Sequence, residues 1–236
     1  MKMLRLENIE AFYGKSQALH DVSIEIQEGE FVTILGANGA GKTTIMKCVM
    51  GLLKPKRGKI FYCGEDITQR PAWDRAALGI GYVPEGRRVF PDLTVEENLR
   101  MGGYSLNDNK AVEKNIEKAF GIFPRLRERR DQLAKTMSGG EQQMLAIARA
   151  LMLEPKLLLI DEISTGLMPI LVNHSLAIVE RLHSQGITVL MVEQNANKVL
   201  NYAGRGYILK TGRITLQDTS QNLRNNDEVV RAYLGG

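Results

Sequence analysis

The chain has 236 residues, 44% of them hydrophobic, and a formal net charge of +4. This composition is typical of a soluble globular protein with one large α/β domain, or a core with an inserted subdomain. The charge excess is too small for a nucleic-acid binder, and no apolar run is long enough to span a bilayer. Residues 1–10 lack the apolar core of a signal peptide, so we expect a cytoplasmic protein.

Two local features have ordinary explanations. Residues 125–130 form the densest basic cluster, but Glu128 interrupts it. A solvated helix face is therefore favoured over docking on a membrane partner or on anionic headgroups. Cys48 and Cys63 match no metal-ligand spacing, so we expect them to be reduced and structural.

Two kinds of strand are predicted. Val22, Ile24 and Ile26 alternate with polar residues, which indicates a half-buried antiparallel strand with residues 4–9 as its neighbour. Residues 59–66 predict a short strand closed by a turn. Continuous apolar runs instead predict parallel strands covered by helices on both faces. These runs are residues 31–35, 80–83, 157–160 and 187–192.

Strand signals stop in residues 92–153, where helices are predicted from 94–99 and over 110–123. A hairpin at 207–216 and a short helix at 228–234 follow the last apolar run. We therefore predict one domain, residues 1–236. Its α/β core and β subdomain comprise residues 1–91 and 154–236, and its inserted helical subdomain comprises residues 92–153.

A glycine-rich loop follows the run at 31–35 and has the phosphate-loop spacing G-x-x-x-x-G-K-T. Its glycines allow backbone N–H groups to face phosphate oxygens, at the positive end of a helix beginning near Lys42. Lys42 can reach the β- and γ-phosphates, and the Thr43 hydroxyl can ligate Mg²⁺. The predicted nucleotide contacts here are Gly36, Ala37, Asn38, Gly39, Ala40, Gly41, Lys42, Thr43 and Thr44.

Two carboxylates follow the run at 157–160. Asp161 lies where a buried strand reaches the carboxyl edge of the sheet, and it suits Mg²⁺. Glu162 is placed to polarise a water for attack on the γ-phosphate. Without the phosphate loop, two polar residues emerging into solvent would be the better explanation.

A second glycine-containing helix start lies at Ser138-Gly139-Gly140-Glu141. Ser138 and Glu141 have capping-box spacing, and the glycines expose N–H groups at a positive helix end. Alone, this pattern would indicate an ordinary cap. Together with the phosphate loop before it and the Asp-Glu strand end after it, the pattern resembles the ATP-binding-cassette (ABC) ATPases, whose signature is close to Leu-Ser-Gly-Gly-Gln.

The resemblance covers residues 4–234. It implies a P-loop NTPase with a RecA-like core of the ABC type, an antiparallel β subdomain, an inserted helical subdomain, and ATP and Mg²⁺ as cofactors. It also implies that two cassettes pack head to tail, so that residues 138–141 serve the nucleotide of the partner. Tyr13 matches the aromatic residue that stacks on adenine.

Four stretches narrow the resemblance: residues 83–91, 139–147, 192–196 and 232–236. They are similar to the smaller ATPase subunit of branched-chain amino-acid uptake systems, with urea or amide importer cassettes as near relatives. This implies a second ABC ATPase subunit as partner, in a heterodimer or, in isolation, a homodimer. It further implies two integral membrane permease subunits, an indirect role for a periplasmic amino-acid-binding protein, and a peripheral location on the cytoplasmic face of the inner membrane.

The chain departs from the wider ABC pattern in four places. Glu85 replaces the usual Gln that contacts Mg²⁺, and a carboxylate can still ligate this cation. Gln194 replaces a His that contacts the γ-phosphate, and its amide can donate a hydrogen bond but no positive charge. Ile163 replaces a Pro, and residues 164–167 lack the Asp common in the segment that crosses the dimer.

The resemblance assigns catalytic roles to Lys42, Glu162 and Gln194, and metal ligation to Thr43, Glu85 and Asp161. The leading hypothesis is the ATPase motor of an importer, with Glu162 arguing for turnover. A nucleotide-dependent clamp with little turnover is the main alternative. A small-molecule kinase is disfavoured, because the signature helix is present and no acceptor site is evident.

Overall fold

A computed structural model describes residues 1–106, 108–166 and 168–234. Two stretches named in the sequence analysis include residues outside these ranges. They are residues 164–167, which include Leu167, and residues 232–236, which include the last two glycines of the chain. The described strands, in chain order, are β1 (Lys2–Tyr13), β2 (Ser16–Gln27), β3 (Phe31–Leu35), β4 (Arg57–Tyr62), β5 (Glu65–Asp66), β6 (Ile80–Val83), β7 (Leu157–Asp161), β8 (Thr188–Glu193), β9 (Arg205–Lys210) and β10 (Arg213–Thr219).

Helices cover both faces of the larger sheet and build the insertion. The described α-helices are α1 (Lys42–Met50), α2 (Ala72–Ala77), α3 (Val95–Gly102), α4 (Asn109–Ile122), α5 (Pro124–Glu128), α6 (Gly139–Ala150), α7 (Pro169–Ser184), α8 (Ala196–Val199), α9 (Ser220–Asn225) and α10 (Asp227–Val229). Short 3-10 turns occur at Ala134–Thr136 and Leu151–Leu153, and a π-helical turn at Val230–Leu234.

The larger sheet has six strands in the order β10-β9-β3-β8-β7-β6 among the described residues. All neighbouring pairs are parallel except β9 and β10, which form the predicted hairpin. Every residue of β3, β7 and β8 is buried, as expected for continuous apolar runs in a covered parallel sheet. The carboxyl ends of these three central strands lie side by side, so the residues that follow them share one edge.

The smaller sheet is antiparallel, with the order β2-β1-β4-β5. Val22, Ile24 and Ile26 point into the core and are buried, which confirms the alternating pattern. The predicted turn after residue 63 contains one further element, because Glu65 and Asp66 pair with β4 as a two-residue strand. This sheet joins the first strands to the core and places Tyr13, at the end of β1, near the start of the nucleotide loop.

The regular elements described between residues 92 and 153 are helical. Thr94 and Glu97 form the predicted capping box at the start of α3. The predicted helix over 110–123 is α4, shifted by one residue at each end because Asp108 caps it and Pro124 begins the next helix. Leu99, Phe120 and Leu145 bury the facing sides of this bundle.

A buried guanidinium fixes the far end of α1. Arg75 of α2 is almost completely buried, and its side chain donates to four backbone carbonyls. Its Nη1 donates to Cys48 O at 2.7 Å and Val49 O at 2.8 Å, in the last turn of α1. The other two acceptors are Thr68 O and Arg70 O. A cation at this position satisfies the free carbonyls and complements the negative end of the helix dipole.

Both cysteines are free thiols. Cys48 is buried, as expected of a structural residue, whereas Cys63 is exposed at the end of β4. Along the described residues, none of the helices combines the length and the apolar character that crossing a membrane requires.

Candidate active site

The phosphate loop leaves the middle of the sheet at the end of β3. Gly41 has a φ of 108°, which is in the region that favours glycine, and it precedes the first residue of α1 without a side-chain cap. A Cβ atom on Gly36 would lie 2.5 Å from the carbonyl oxygen of Leu209. Glycine is therefore required for both the turn and the close packing. The first N–H groups of α1 remain available to an anion.

Lys42 is buried, with 4% of its surface exposed. Its Nζ donates to the carbonyl oxygens of Gly36 at 2.8 Å and Ala37 at 3.2 Å. A third contact of 2.9 Å joins it to Oε1 of Glu162. Two hydrogen bonds and one ion pair accommodate the buried charge of this ammonium group. The structure thus brings together two of the three predicted catalytic residues.

Asp161 is held by two hydroxyl groups. Thr43 Oγ1 donates to its Oδ1 at 3.0 Å, and the Tyr82 hydroxyl donates to its Oδ2 at 3.1 Å. Burial raises the pKa of Asp161, and these two hydrogen bonds oppose that rise. Tyr82 was not predicted as a site residue. The available signal was its place on β6, the strand that neighbours β7.

The oxygen donors around Asp161 suit a hard cation. Thr43 and Asp161 offer a hydroxyl and a carboxylate within hydrogen-bond distance of each other. No cluster of three His, Cys, Asp or Glu side chains able to hold a metal occurs in the described residues. Mg²⁺ commonly uses one or two carboxylates together with water and phosphate oxygens, so this donor set fits it.

Glu162 follows the end of β7 in the left-handed region, with a φ of 46°. This conformation is uncommon for a residue other than glycine and tends to occur at functional sites. Its N–H donates to the carbonyl oxygen of Val192 at 3.0 Å, and Thr165 Oγ1 donates to its Oε2 at 3.3 Å. The backbone of Glu162 is therefore fixed by β8, and its carboxylate accepts one long hydrogen bond from the following turn.

Lys42, Thr43 and Glu162 border one cavity of about 500 Å³, whereas Asp161 lies behind Thr43 and does not line it. Most of the predicted nucleotide, catalytic and metal residues contribute to its wall, together with Ala18 and Thr165, which were not predicted. The predicted residues in this wall are Tyr13, Asn38, Gly39, Gly41, Lys42, Thr43, Thr44, Glu85, Glu162 and Gln194. The Tyr13 ring is 47% exposed at its edge, with Lys47 Nζ 5.6 Å from the ring centroid. A planar base could stack on this exposed ring.

The signature residues lie elsewhere in the chain. Ser138 and Glu141 form the predicted capping box: Ser138 N–H donates to Glu141 Oε2 at 2.9 Å, and Glu141 N–H donates to Ser138 Oγ. Within the described part of the chain, none of residues 138–141 lines the cavity around Lys42. Ser138, Gly140 and Glu141 border a different cavity, against α7. One chain alone does not bring the signature to the phosphate loop.

Two arginines face the carboxylate of Glu141. Arg129 Nε lies 2.9 Å from Glu141 Oε1 without hydrogen-bond alignment, and Arg125 Nε donates to the same oxygen at 3.3 Å. Partial burial raises the pKa of Glu141, but the hydrogen bonds from Ser138 and Arg125 and the positive charge of Arg129 outweigh it, and the net pKa is lowered. The carboxylate is therefore ionised at neutral pH.

The ABC transporter family profile matches residues 19–165, more than half of the chain. The chain belongs to the ABC transporter family. As a member, it is an ATPase that binds ATP or ADP, and it works as a cassette dimer with membrane permease components. The predicted fold class is confirmed by solved cassettes: a nucleotide-free ATP-binding cassette from an ABC transporter has a TM-score of 0.88 and 30% identity, with both chains fully covered.

Three curated relatives are similar along their whole length. The high-affinity branched-chain amino acid transport ATP-binding protein BraG of Pseudomonas aeruginosa is 51% identical, over 99% of this chain and 100% of that protein. The lipopolysaccharide export system ATP-binding protein LptB of Haemophilus influenzae is 37% identical, over 100% and 98%. The probable branched-chain amino acid transport ATP-binding protein LivF of Archaeoglobus fulgidus is 35% identical, over 99% of both chains.

A solved dimer also resembles this chain. The dimeric structure of MJ0796, a bacterial ABC transporter cassette, has a TM-score of 0.83 and 25% identity, over 92% of this chain and 99% of that one. The separation of Ser138 from the cavity around Lys42 is consistent with a site that two cassettes share.

Proposed function

We propose that this chain is the ATP-hydrolysing subunit of an importer for branched-chain amino acids. The chemistry rests on one observation above all: Lys42 and Glu162 meet at 2.9 Å in the cavity that the phosphate loop borders. The choice of substrate rests on the similarity to BraG, together with the four stretches that resemble the same subgroup.

The residues of this chain have distinct proposed roles in nucleotide binding and hydrolysis. The phosphate loop and Lys42 bind the phosphates, and the exposed Tyr13 ring stacks on adenine. Thr43, Asp161 and Glu85 would hold Mg²⁺, and a bound Mg²⁺ would withdraw charge from the phosphate oxygens. Glu162 takes a proton from the attacking water as general base.

Gln194 would contact the γ-phosphate. It lies directly after β8 and borders the same cavity as Glu162. Its amide can donate one hydrogen bond to a phosphate oxygen, but it contributes no positive charge. We therefore assign it to orienting the γ-phosphate, and the positive charge in this site to Lys42.

The second half of each site would come from another cassette. At the start of α6 the capping box engages the N–H groups of Ser138 and Glu141, and those of Gly139 and Gly140 remain free to meet an anion. We propose that they contact the γ-phosphate bound by a second, different ABC ATPase subunit. ATP binding then draws the two cassettes together, and hydrolysis with product release separates them.

Docking of the permease is assigned to a groove between the core and the helical insertion. A cavity of about 310 Å³ lies there, bordered by Met50, Tyr82, Phe90, Met101 and Arg149. The Arg149 guanidinium packs 4.8 Å from the Phe90 ring centroid. Because residues 85–91 run from the nucleotide cavity to this groove, a short permease helix seated there would follow movements of Glu85. The chain would then lie at the cytoplasmic face of the membrane.

Two other cargoes fit the same motor: urea or amides, and, given the similarity to LptB, lipopolysaccharide. The deciding experiment is reconstitution in vesicles with the permease subunits, the second cassette and the periplasmic binding protein of a branched-chain amino-acid importer from the same organism. Expected is ATP-dependent uptake of labelled leucine, isoleucine and valine, which is lost with Glu162→Gln. Uptake of urea instead, or ATPase activity unchanged by any amino acid, would overturn the assignment.

A further inference from the structure

A fully buried carboxylate lies beside the proposed chemistry without a role in it. Glu193 is the last residue of β8, 2% exposed, and Gln194 follows it directly. Its Oε1 accepts the N–H of Ser164 at 3.1 Å, and its Oε2 accepts the Ser164 hydroxyl at 2.7 Å. Burial raises the pKa of Glu193, and the bonds from Ser164 oppose that rise. Such a group is costly to bury, so both oxygens need these donors.

The same strand end also holds Glu162. The N–H of Glu162 donates to the carbonyl oxygen of Val192 at 3.0 Å. Three hydrogen bonds therefore tie the turn beginning at Glu162 to the last two residues of β8. Between the two tied residues lies Ile163, which is buried. A left-handed Glu162 requires support of this kind, because the surroundings must fix an unfavourable backbone conformation.

We propose that Glu193 is a positioning residue that couples Gln194 to the turn carrying Glu162. Glu193 is covalently joined to Gln194 and is hydrogen-bonded to Ser164. A displacement of Gln194 toward a γ-phosphate therefore moves Ser164, and with it the turn that places Glu162 and Thr165 in the cavity. The inference rests on the roles proposed above for Glu162 and Gln194, and it adds the physical link between them.

The test uses the full chain with its second cassette, and measures kcat, KM and the Kd of Mg·ADP. Glu193→Ala should lower kcat about 30-fold, because both bonds to Ser164 are lost. Ser164→Ala should lower it about fivefold, because the backbone bond remains. Glu193→Gln should fall between wild type and Glu193→Ala, since its amide oxygen replaces only one acceptor. The Kd of Mg·ADP should change less than about twofold, because the phosphate loop is untouched.

A double-mutant cycle separates coupling from general weakening. If Glu193 and Ser164 act as one unit, the double variant should have the kcat of Glu193→Ala alone. Effects that multiply independently would overturn the proposal. So would a loss of ADP affinity equal to the loss of kcat, because the variants would then disturb the whole site.

A matched control removes a buried serine hydroxyl far from the cavity. Ser220 Oγ donates to the carbonyl oxygen of Ala203. Ser220→Ala should lower the melting temperature but leave kcat unchanged. An equal loss of kcat would show that the Glu193 effect is only a general destabilisation of the fold.

Glu162→Gln distinguishes a failure of the proposed base role from a failure of the proposed link through Glu193. If it keeps turnover, both the base role and the link to it are wrong. If it stops turnover while Glu193→Ala does not, only the link is wrong.

Discussion

Two helices of this chain begin after glycines, and their first turns are built in opposite ways. At the start of α1 no side chain caps the backbone, and the charged groups there are the buried ammonium of Lys42 and the carboxylates of Asp161 and Glu162. At the start of α6 a capping box is complete, and the Glu141 carboxylate already occupies the positive helix end. The first is an open anion site with its own cation. The second already carries an anion.

This difference shows why the two glycine motifs cannot substitute for each other. The α1 start can take phosphates from solution, because its N–H groups and Lys42 face a cavity of about 500 Å³. In the proposed dimer, the α6 start would accept a γ-phosphate next to a carboxylate, which is favourable only if that charge is compensated. Arg125 and Arg129 lie where they compensate it.

The largest expected effect is on turnover at the α1 side. Glu162→Gln removes the proposed base but keeps the shape of the side chain, so kcat should fall about a thousandfold. ATP should still bind, and ATP-bound cassette dimers should accumulate on a sizing column. Glu141→Gln is the matched control on the α6 side, and there kcat should stay within about threefold of wild type. Normal turnover in Glu162→Gln would remove the base role.

The next effect concerns the anchoring of α1 at its far end. Arg75→Met should lower the free energy of unfolding by about 3 kcal/mol, because four buried carbonyls lose their donor. Chemical denaturation measures it. Arg70→Met is the control, since Arg70 contacts Glu65 on the surface and should change stability by less than about 1 kcal/mol. Equal costs would show that α1 does not depend on this cap.

Lys42→Ala should weaken nucleotide binding about 30-fold, because the only buried ammonium described around the phosphate loop is removed. Titration with a fluorescent ATP analogue measures the Kd. Lys47→Ala, on the same helix but beside the Tyr13 ring, should change it less than about threefold. Unchanged binding in Lys42→Ala would contradict the phosphate-loop assignment.

The smallest effect tests charge compensation at α6. Replacing Arg125 and Arg129 with Gln leaves the Glu141 charge uncompensated, and ATP-dependent dimerisation should weaken about fivefold. Adding Glu141→Gln should restore it, because Gln keeps the capping box without the charge. Dimerisation is read by analytical ultracentrifugation at several ATP concentrations. Failure of the rescue would mean that the arginines contact the partner directly.

Local patterns explain what could be predicted. The phosphate loop, the Asp161–Glu162 strand end and both capping boxes depend on residues adjacent in sequence, and the structure has the predicted elements there. The hydrogen bonds that hold the site residues in place join residues far apart in the chain. Tyr82 reaches Asp161, and Glu193 reaches Ser164, across neighbouring strands. Spacing along the chain does not predict such pairs, although the apolar run at 80–83 placed Tyr82 in the same sheet as Asp161.

Glu141 shows a second limit of prediction from the sequence. Its spacing from Ser138 predicted the capping box, which is confirmed. The arginines that contact it come from residues 125–130, the cluster that was assigned to a solvated helix face. Arg127 and Arg130 do pair with surface glutamates there, so the assignment holds for that side. Arg125 and Arg129 approach Glu141 because of how α5 packs on α6, which composition does not encode.

The three contacts of Lys42 set an order of events. Two of its acceptors are carbonyls of the loop itself, and the third is the Glu162 carboxylate. A phosphate that approaches this ammonium must replace one of them, and only the side chain of Glu162 is free to rotate away. Under the proposed roles, arrival of the substrate would thus release the carboxylate that takes a proton from the attacking water. Binding of the substrate and release of the base would then be a single event.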